Sequence, residues 1–175
     1  MEKVLITGSS GFIGYHVAKK ILKKRVKVIG VDNHNSYYSP KIKVLRFKEL
    51  KKFKNFKFYK TDISNKGQLL KIFKKEKPST VIHLAAQAGV RYSFENPQAY
   101  VSSNIDGTNN ILECMARLKS SKIIFASSSS VYGNQKKLPI KETNQTNPLN
   151  FYGLTKLMNE SQIKIFSENY KIDYI

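Results

Sequence analysis

Apolar residues in this chain fall by turns into short branched runs and helically spaced stripes. Val4–Ile6 has the length and branching of a strand buried on both faces. It gives way to glycines at 8, 11 and 14, with Phe12, Ile13, Val17, Ile21 and Leu22 at helical spacing. Val26–Val31 predicts a second strand, followed by a polar loop from Asn33 to Pro40 and a basic helical stretch to about Phe53. Phe56–Tyr59 predicts a third strand, Lys66 to Lys75 a helix ahead of Pro78, and Thr80–Leu84 a fourth strand. Beyond Asn96-Pro97 the pattern predicts one long helix to Leu118, and Ile123–Ala126 a fifth strand. A turn-rich loop carrying Pro139 and Pro148 leads to a helix starting near Phe151, and Ile172–Ile175 reads as the opening of a sixth strand. No internal repeat or linker composition interrupts this alternation. Strands and helices in strict succession predict an α/β fold, a doubly wound parallel sheet with helices on both faces. Ligands then lie at the carboxyl ends of the strands.

The first of those strand ends carries the strongest motif. Strand, glycine turn and helix follow one another within Val4–Gly14. Glycines permit positive φ and close approach of a pyrophosphate to the backbone. The free N–H groups and positive dipole end of the new helix then face the phosphates. The spacing is G-x-x-G-x-x-G rather than the commoner G-x-G-x-x-G. Its context strengthens it: the second strand ends in Asp32, about where a ribose-binding acid is expected. A carboxylate there accepts both ribose hydroxyls and repels a 2′-phosphate, which favours NAD over NADP. Asp62, just past the third strand, is placed to meet an adenine amino group.

A second constellation sits near the fifth strand. Tyr152 and Lys156 are four apart and share one face of a helix. A phenol is a poor base at neutral pH unless a neighbouring cation favours its ionised form, and Lys156 supplies one. The serine run Ser127-Ser128-Ser129-Ser130 precedes the pair. Strand-end hydroxyls also satisfy backbone, the role expected of Ser127 and Ser130.

Length, charge and cysteine bound the rest. A chain of 175 residues with 41% hydrophobic residues suits one domain with a proper core. No stretch reads as a membrane span or signal peptide, so a cytoplasmic protein is expected. Cys114 is the one cysteine and sits in a helical pattern, which makes it a core residue. His16, His34 and His83 show no ligand-like grouping, so no metal is expected, and His83 reads as a hydrogen-bonded core residue. The net charge of +19 concentrates between Lys19 and Lys77, with phenylalanines interleaved. Those phenylalanines fit a strand and a helix face, and no nucleic-acid motif appears, so specific nucleic-acid binding is not expected. Attraction of anionic nucleotide-sugars is a further reading of the charge.

The motifs together resemble the extended short-chain dehydrogenase/reductase family. They are Thr7-Gly8-Ser9-Ser10-Gly11-Phe12-Ile13-Gly14, Asp32-Asn33, Asp62-Ile63, His83 through Arg91, Ser127 through Gly133, and Tyr152-Gly153-Leu154-Thr155-Lys156. Within the family the resemblance is to nucleotide-sugar epimerases, UDP-glucuronate 4-epimerases in particular. Related 4,6-dehydratases carry an acidic residue where this chain has Ser129-Ser130, so a reversible oxidation and re-reduction is the expected chemistry.

The resemblance implies a Rossmann fold, NAD as cofactor and a UDP-sugar as substrate. Tyr152 is then the base at the sugar C4 hydroxyl, Ser128 the hydroxyl that bonds that oxygen, and Lys156 the third catalytic residue. The sugar passes through a 4-keto form and receives the hydride back on its other face. Gly8, Gly11, Phe12, Ile13, Gly14, Asp32, Asn33, Asp62, Ile63, Leu84, Ala85, Ala86, Gln87, Asn104, Tyr152 and Lys156 are the implied NAD contacts. Arg91, with Ser128, is the candidate substrate contact, its planar fork suiting a sugar carboxylate. Family members run about twice this length, with a smaller C-terminal substrate domain and, in places, a homodimer. Residues 1–175 are therefore expected to be the NAD-binding domain, stopping near the sixth strand. A non-catalytic NAD-binding module, or one needing a partner chain, and a UDP-glucose 4-epimerase are the alternative readings.

Overall fold

The structure is a computed structural model, and it describes residues 2–175. Six parallel strands form one sheet: β1 (Lys3–Thr7), β2 (Lys27–Asp32), β3 (Phe56–Lys60), β4 (Thr80–His83), β5 (Lys122–Phe125) and β6 (Asp173–Tyr174). Their order is β3-β2-β1-β4-β5-β6, the doubly wound arrangement in which chain direction across the sheet reverses between β1 and β4. The fold is thus the α/β Rossmann type expected from the sequence. Val4 of β1 pairs with Val28 on one side and Thr80 on the other, so β1 is central and buried on both faces.

Alternate residues along each strand supply two separate cores. Leu5, Ile29, Val31, Val81 and Ile123 point to one face, against α3 (Lys66–Glu76), α6 (Gly107–Leu118) and α7 (Phe151–Tyr170). Val4, Ile6, Val28 and Ile82 point to the other, against α1 (Phe12–Lys23) and α2 (Pro40–Lys51). Each fully buried branched side chain contributes about 1.5–3 kcal/mol. A one-residue slip of any central strand would exchange the two cores, so register is firmly specified. Cys114 lies in the first of them, as expected.

Element boundaries moved by one or two residues, and two larger differences emerged. The segment expected to be one long helix from Pro97 to Leu118 is broken. A short helix, α5 (Pro97–Tyr100), passes into a π-helical turn, Val101–Asp106, before α6 begins. There the Asn104 carbonyl accepts from Asn159 Nδ2 at 2.9 Å as well as from the Gly107 N–H, so a side-chain bond from α7 accompanies the widened turn. A one-turn helix, α4 (Tyr92–Glu95), was also not expected, because four residues carry no periodicity. Among the described residues no helix is long and apolar enough to cross a membrane.

Candidate functional site

The carboxyl ends of β1, β2, β3 and β4 open onto one groove of about 170 Å³. Its wall includes Gly8, Gly11, Asp32, Asn33, Asp62, Ile63, Leu84, Ala85, Ala86 and Gln87, ten of the residues expected there. The turn after β1 is built by glycine. Gly8 adopts φ +69°, and a Cβ there would lie 2.9 Å from the Ala85 backbone nitrogen. Gly14 is buried behind the turn, packed on the Gly8 carbonyl, so it does not reach the groove as expected. It serves close packing of α1 instead. The Gly11 cap of α1 offers no side-chain acceptor, whereas Asn65 and Asn150 cap α3 and α7 with their side chains. The first N–H groups of α1 are therefore available to an anion. Phe12 and Ile13, also expected at the cofactor, are exposed and do not line the groove.

Asp32 is 7% exposed and holds two loops together. Its carboxylate accepts from Ser10 N–H at 3.0 Å and from His34 N–H at 2.8 Å, one bond per oxygen, which leaves a lone pair on each. Burial pushes His34 below its ordinary value; Asp32 opposes the shift, and Lys60 and Lys43 reinforce it. The neutral ring sits against Ser10 Oγ at 2.9 Å and stacks on Phe58. At Asp62, burial works against the ionised form, yet hydrogen bonds from Ser64 N–H, Asn33 Nδ2 and Ser64 Oγ prevail and hold its carboxyl below the usual range.

The floor of the groove is fixed by a hidden relay. Thr7 Oγ1 accepts from the N–H groups of Leu84 and Ala85 at 3.1 and 3.0 Å, so its own proton goes to His83 Nδ1 at 2.7 Å. His83 Nε2–H then donates to Thr108 Oγ1 at 3.0 Å. Burial, with the nearby Lys156 charge, pushes the ring down to about 3, so His83 is neutral and purely structural. The expectation of a hydrogen-bonded core histidine is met.

Asn104, expected at the cofactor, is 1% exposed and otherwise engaged. Its Oδ1 accepts from Gln87 N–H at 2.8 Å, and its Nδ2 donates to the Gln87 carbonyl at 3.1 Å and to Thr155 Oγ1 at 3.0 Å. It therefore positions the groove wall and α7 rather than lining the groove.

Tyr152 and Lys156 stand on the first turns of α7, beside the serine run. The approach depends on Gly153, where a Cβ would lie 2.6 Å from the Ser130 carbonyl oxygen. Tyr152 is half-buried, its ring meeting that of Tyr100 edge-on at 6.1 Å. Lys156 is 4% exposed, and its Nζ donates to the Ala126 carbonyl at 3.0 Å and lies 4.6 Å from the Phe125 ring centre. Burial pulls its ammonium down to about 8. The serines divide their work differently from the expectation. Ser128 Oγ accepts from Ser130 N–H at 3.2 Å and caps the short turn Ser129–Val131, while the Ser127 hydroxyl donates to Glu160. Ser128 is in extended backbone, the geometry of an N-cap, and accepting leaves its own proton free. Arg91 is exposed and heads the Tyr92–Glu95 turn, outside the groove wall.

Several residues of the site carried no usable sequence signal. Tyr100 is fully buried, with its hydroxyl directed to the Ala88 and Gly89 carbonyls, and burial pushes it up to about 12. Asn35, Tyr37, Tyr38, Lys43 and Ser103 also line the groove. Tyr100 lies one turn before Asn104, the one pattern that could have singled it out.

A family model described as GDP-mannose 4,6 dehydratase matches residues 5–175. UDP-glucuronate 4-epimerase of Thermodesulfobacterium geofontis is 47% identical over 89% of this chain and 48% of its own length. The crystal structure of UDP-glucuronic acid 4-epimerase from Bacillus cereus, in complex with UDP-glucuronic acid and NAD, superposes with a TM-score of 0.92. It is 34% identical and is covered to 55% by 99% of this chain. UDP-glucose 4-epimerase from Brucella ovis in complex with NAD gives a TM-score of 0.87 at 32% identity, covering 99% of this chain and 50% of that one. The chain spans about half the length of the curated relatives it matches. From the glycine turn of β1 to the Tyr152–Lys156 pair of α7, the chain belongs to the extended short-chain dehydrogenase/reductase family matched by that model.

Proposed function

We propose that this chain holds NAD and the catalytic residues of a UDP-sugar 4-epimerase, with UDP-glucuronate as the substrate. The observation that carries the reading is the placing of Tyr152 and Lys156 beside the serine run, in one sheet-end with the Asp32 groove. The residues fit the cofactor. The uncapped start of α1 suits a diphosphate, the open lone pairs of Asp32 suit two ribose hydroxyls, and Asp62 and Ile63 flank the base. NAD, when bound, supplies a hydride acceptor that can return what it takes.

The chain's own groups do the rest. Tyr152 takes the proton of the C4 hydroxyl, and Ser128, whose hydroxyl proton is free, donates to the same oxygen. Lys156 is largely protonated at neutral pH, and its charge stands one helical turn from the phenol. Arg91 is offered to the sugar carboxylate from the surface. The relatives named as UDP-glucuronate 4-epimerases support that sugar over UDP-glucose. We place the homodimer contact on α7, where Leu154 and Met158 lie one turn apart and exposed.

The test is direct. The purified chain is expected to enhance NADH fluorescence and, given NAD and UDP-glucuronate, to form UDP-galacturonate. Tyr152→Phe should abolish product while leaving NADH binding in place; an equally active variant refutes the assigned base. NADH binding with no product favours the second reading, a cofactor-holding module, which the half-length match to relatives supports.

A further inference from the structure

Beside Asp32 the groove wall carries a cation that nothing in the motifs announces. Lys43 is only 5% exposed, although lysine is among the residues least often buried without a partner. Among the described residues no carboxylate pairs with it at contact distance. Its Nζ donates to the Asn35 carbonyl at 3.0 Å and to Asn35 Oδ1 at 2.5 Å, so one of its three N–H groups remains. The Tyr38 ring lies 4.4 Å below the ammonium. Arg46, one helical turn further along α2, reaches back to the Tyr38 hydroxyl at 3.1 Å and to the Ser10 carbonyl of the glycine turn. Lys43 and Asp32 line the same groove, and the Asp32 charge favours the ammonium that burial disfavours.

We propose that Lys43, backed by Arg46, forms a latent phosphate-binding corner of this groove, so that rejection of a 2′-phosphate rests on Asp32 alone. The inference rests on the NAD reading above and concerns which dinucleotide the groove accepts. A buried ammonium with a free donor, fixed by Asn35 and Tyr38, is already ordered for an anion and needs no rearrangement to receive one. The guanidinium behind it offers the planar donors that phosphate prefers. The Asp32 carboxylate offsets the Lys43 charge.

NADH and NADPH binding to the whole chain, followed by nucleotide fluorescence, test this without any turnover. Asp32→Asn keeps the shape and the Ser10 contact but removes the charge. It is expected to tighten NADPH binding at least tenfold and to invert the preference for NADH. Lys43→Met or Arg46→Gln added to Asp32→Asn should each lower the NADPH-to-NADH affinity ratio at least fivefold. If Asp32→Asn binds NADH but gains nothing for NADPH, or if the gain survives both added changes, the corner does not exist. Should Asp32→Asn fail to fold, Lys43→Met in the unaltered chain decides: a fivefold fall in the affinity ratio supports the corner, and an unchanged ratio overturns it. Absence of NADH binding to the unaltered chain would instead remove the NAD reading, and this inference with it.

Discussion

Replacing Lys156 by methionine is expected to stabilise the ligand-free chain at pH 7, raising its melting temperature by about 6 °C. The ammonium is 4% exposed with no carboxylate beside it, and burial draws it from an ordinary value of 10.5 to about 8. At about 1.4 kcal/mol per unit, that shift corresponds to a penalty of about 3 kcal/mol. Loss of the bond to the Ala126 carbonyl returns about 1 kcal/mol, leaving a net gain of about 2 kcal/mol. A domain of this size gains about 2–4 °C per kcal/mol. The sign follows from linkage: between about 8 and 10.5 the unfolded chain binds a proton that the folded chain does not, so stability rises with pH across that window. The advantage of Lys156→Met is therefore full below pH 8 and gone by pH 10.5, which thermal melts at the two ends check. A lower melting point at pH 7 would refute the account. Under the proposed function turnover is expected to be lost in the same variant, which would make the buried ammonium a cost in stability borne for chemistry.

The second large effect is acid sensitivity centred on His83. Burial, then the Lys156 charge, lowers the ring from 6.5 to about 3. The unfolded chain therefore takes up a proton across that interval while the folded chain refuses it, and stability falls as pH falls. The slope is about 1.4 kcal/mol per pH unit, approaching about 5 kcal/mol over the full range. Urea denaturation at pH 6.5, 5.5 and 4.5 measures it. His83→Gln should cost about 1–2 kcal/mol at neutral pH through lost bonds to Thr7 and Thr108, yet flatten this slope. A variant as acid-sensitive as the parent assigns the effect elsewhere.

How far the sequence reached can be argued residue by residue. Val4, Leu5 and Ile6 are all apolar because β1 is buried on both faces, and such runs are legible without knowing what covers them. The groove-lining carboxylates at Asp32 and Asp62 were legible because one ends β2 and the other lies just past β3, where the topology puts any groove. The π-helical turn was not, since the side chain that bonds its Asn104 carbonyl, Asn159, lies 55 residues away. Nor was Lys43: among 31 lysines and arginines, no spacing marks this one as buried. Ser128 was assigned by likeness and Ser127 and Ser130 by habit of strand ends. Which hydroxyl caps the turn depends on the extended backbone at 128, a conformation that no residue pattern marks.

The side chain of Asn104 has a consequence of its own. One amide fastens Gln87, in the wall of the groove, and Thr155, in the helix that carries the phenol. Neither part can loosen without breaking the same clasp. A molecule that stills the wall thus slows the breathing of α7, and deuterium uptake in the first turns of that helix becomes a gauge of filling in a groove those turns do not border.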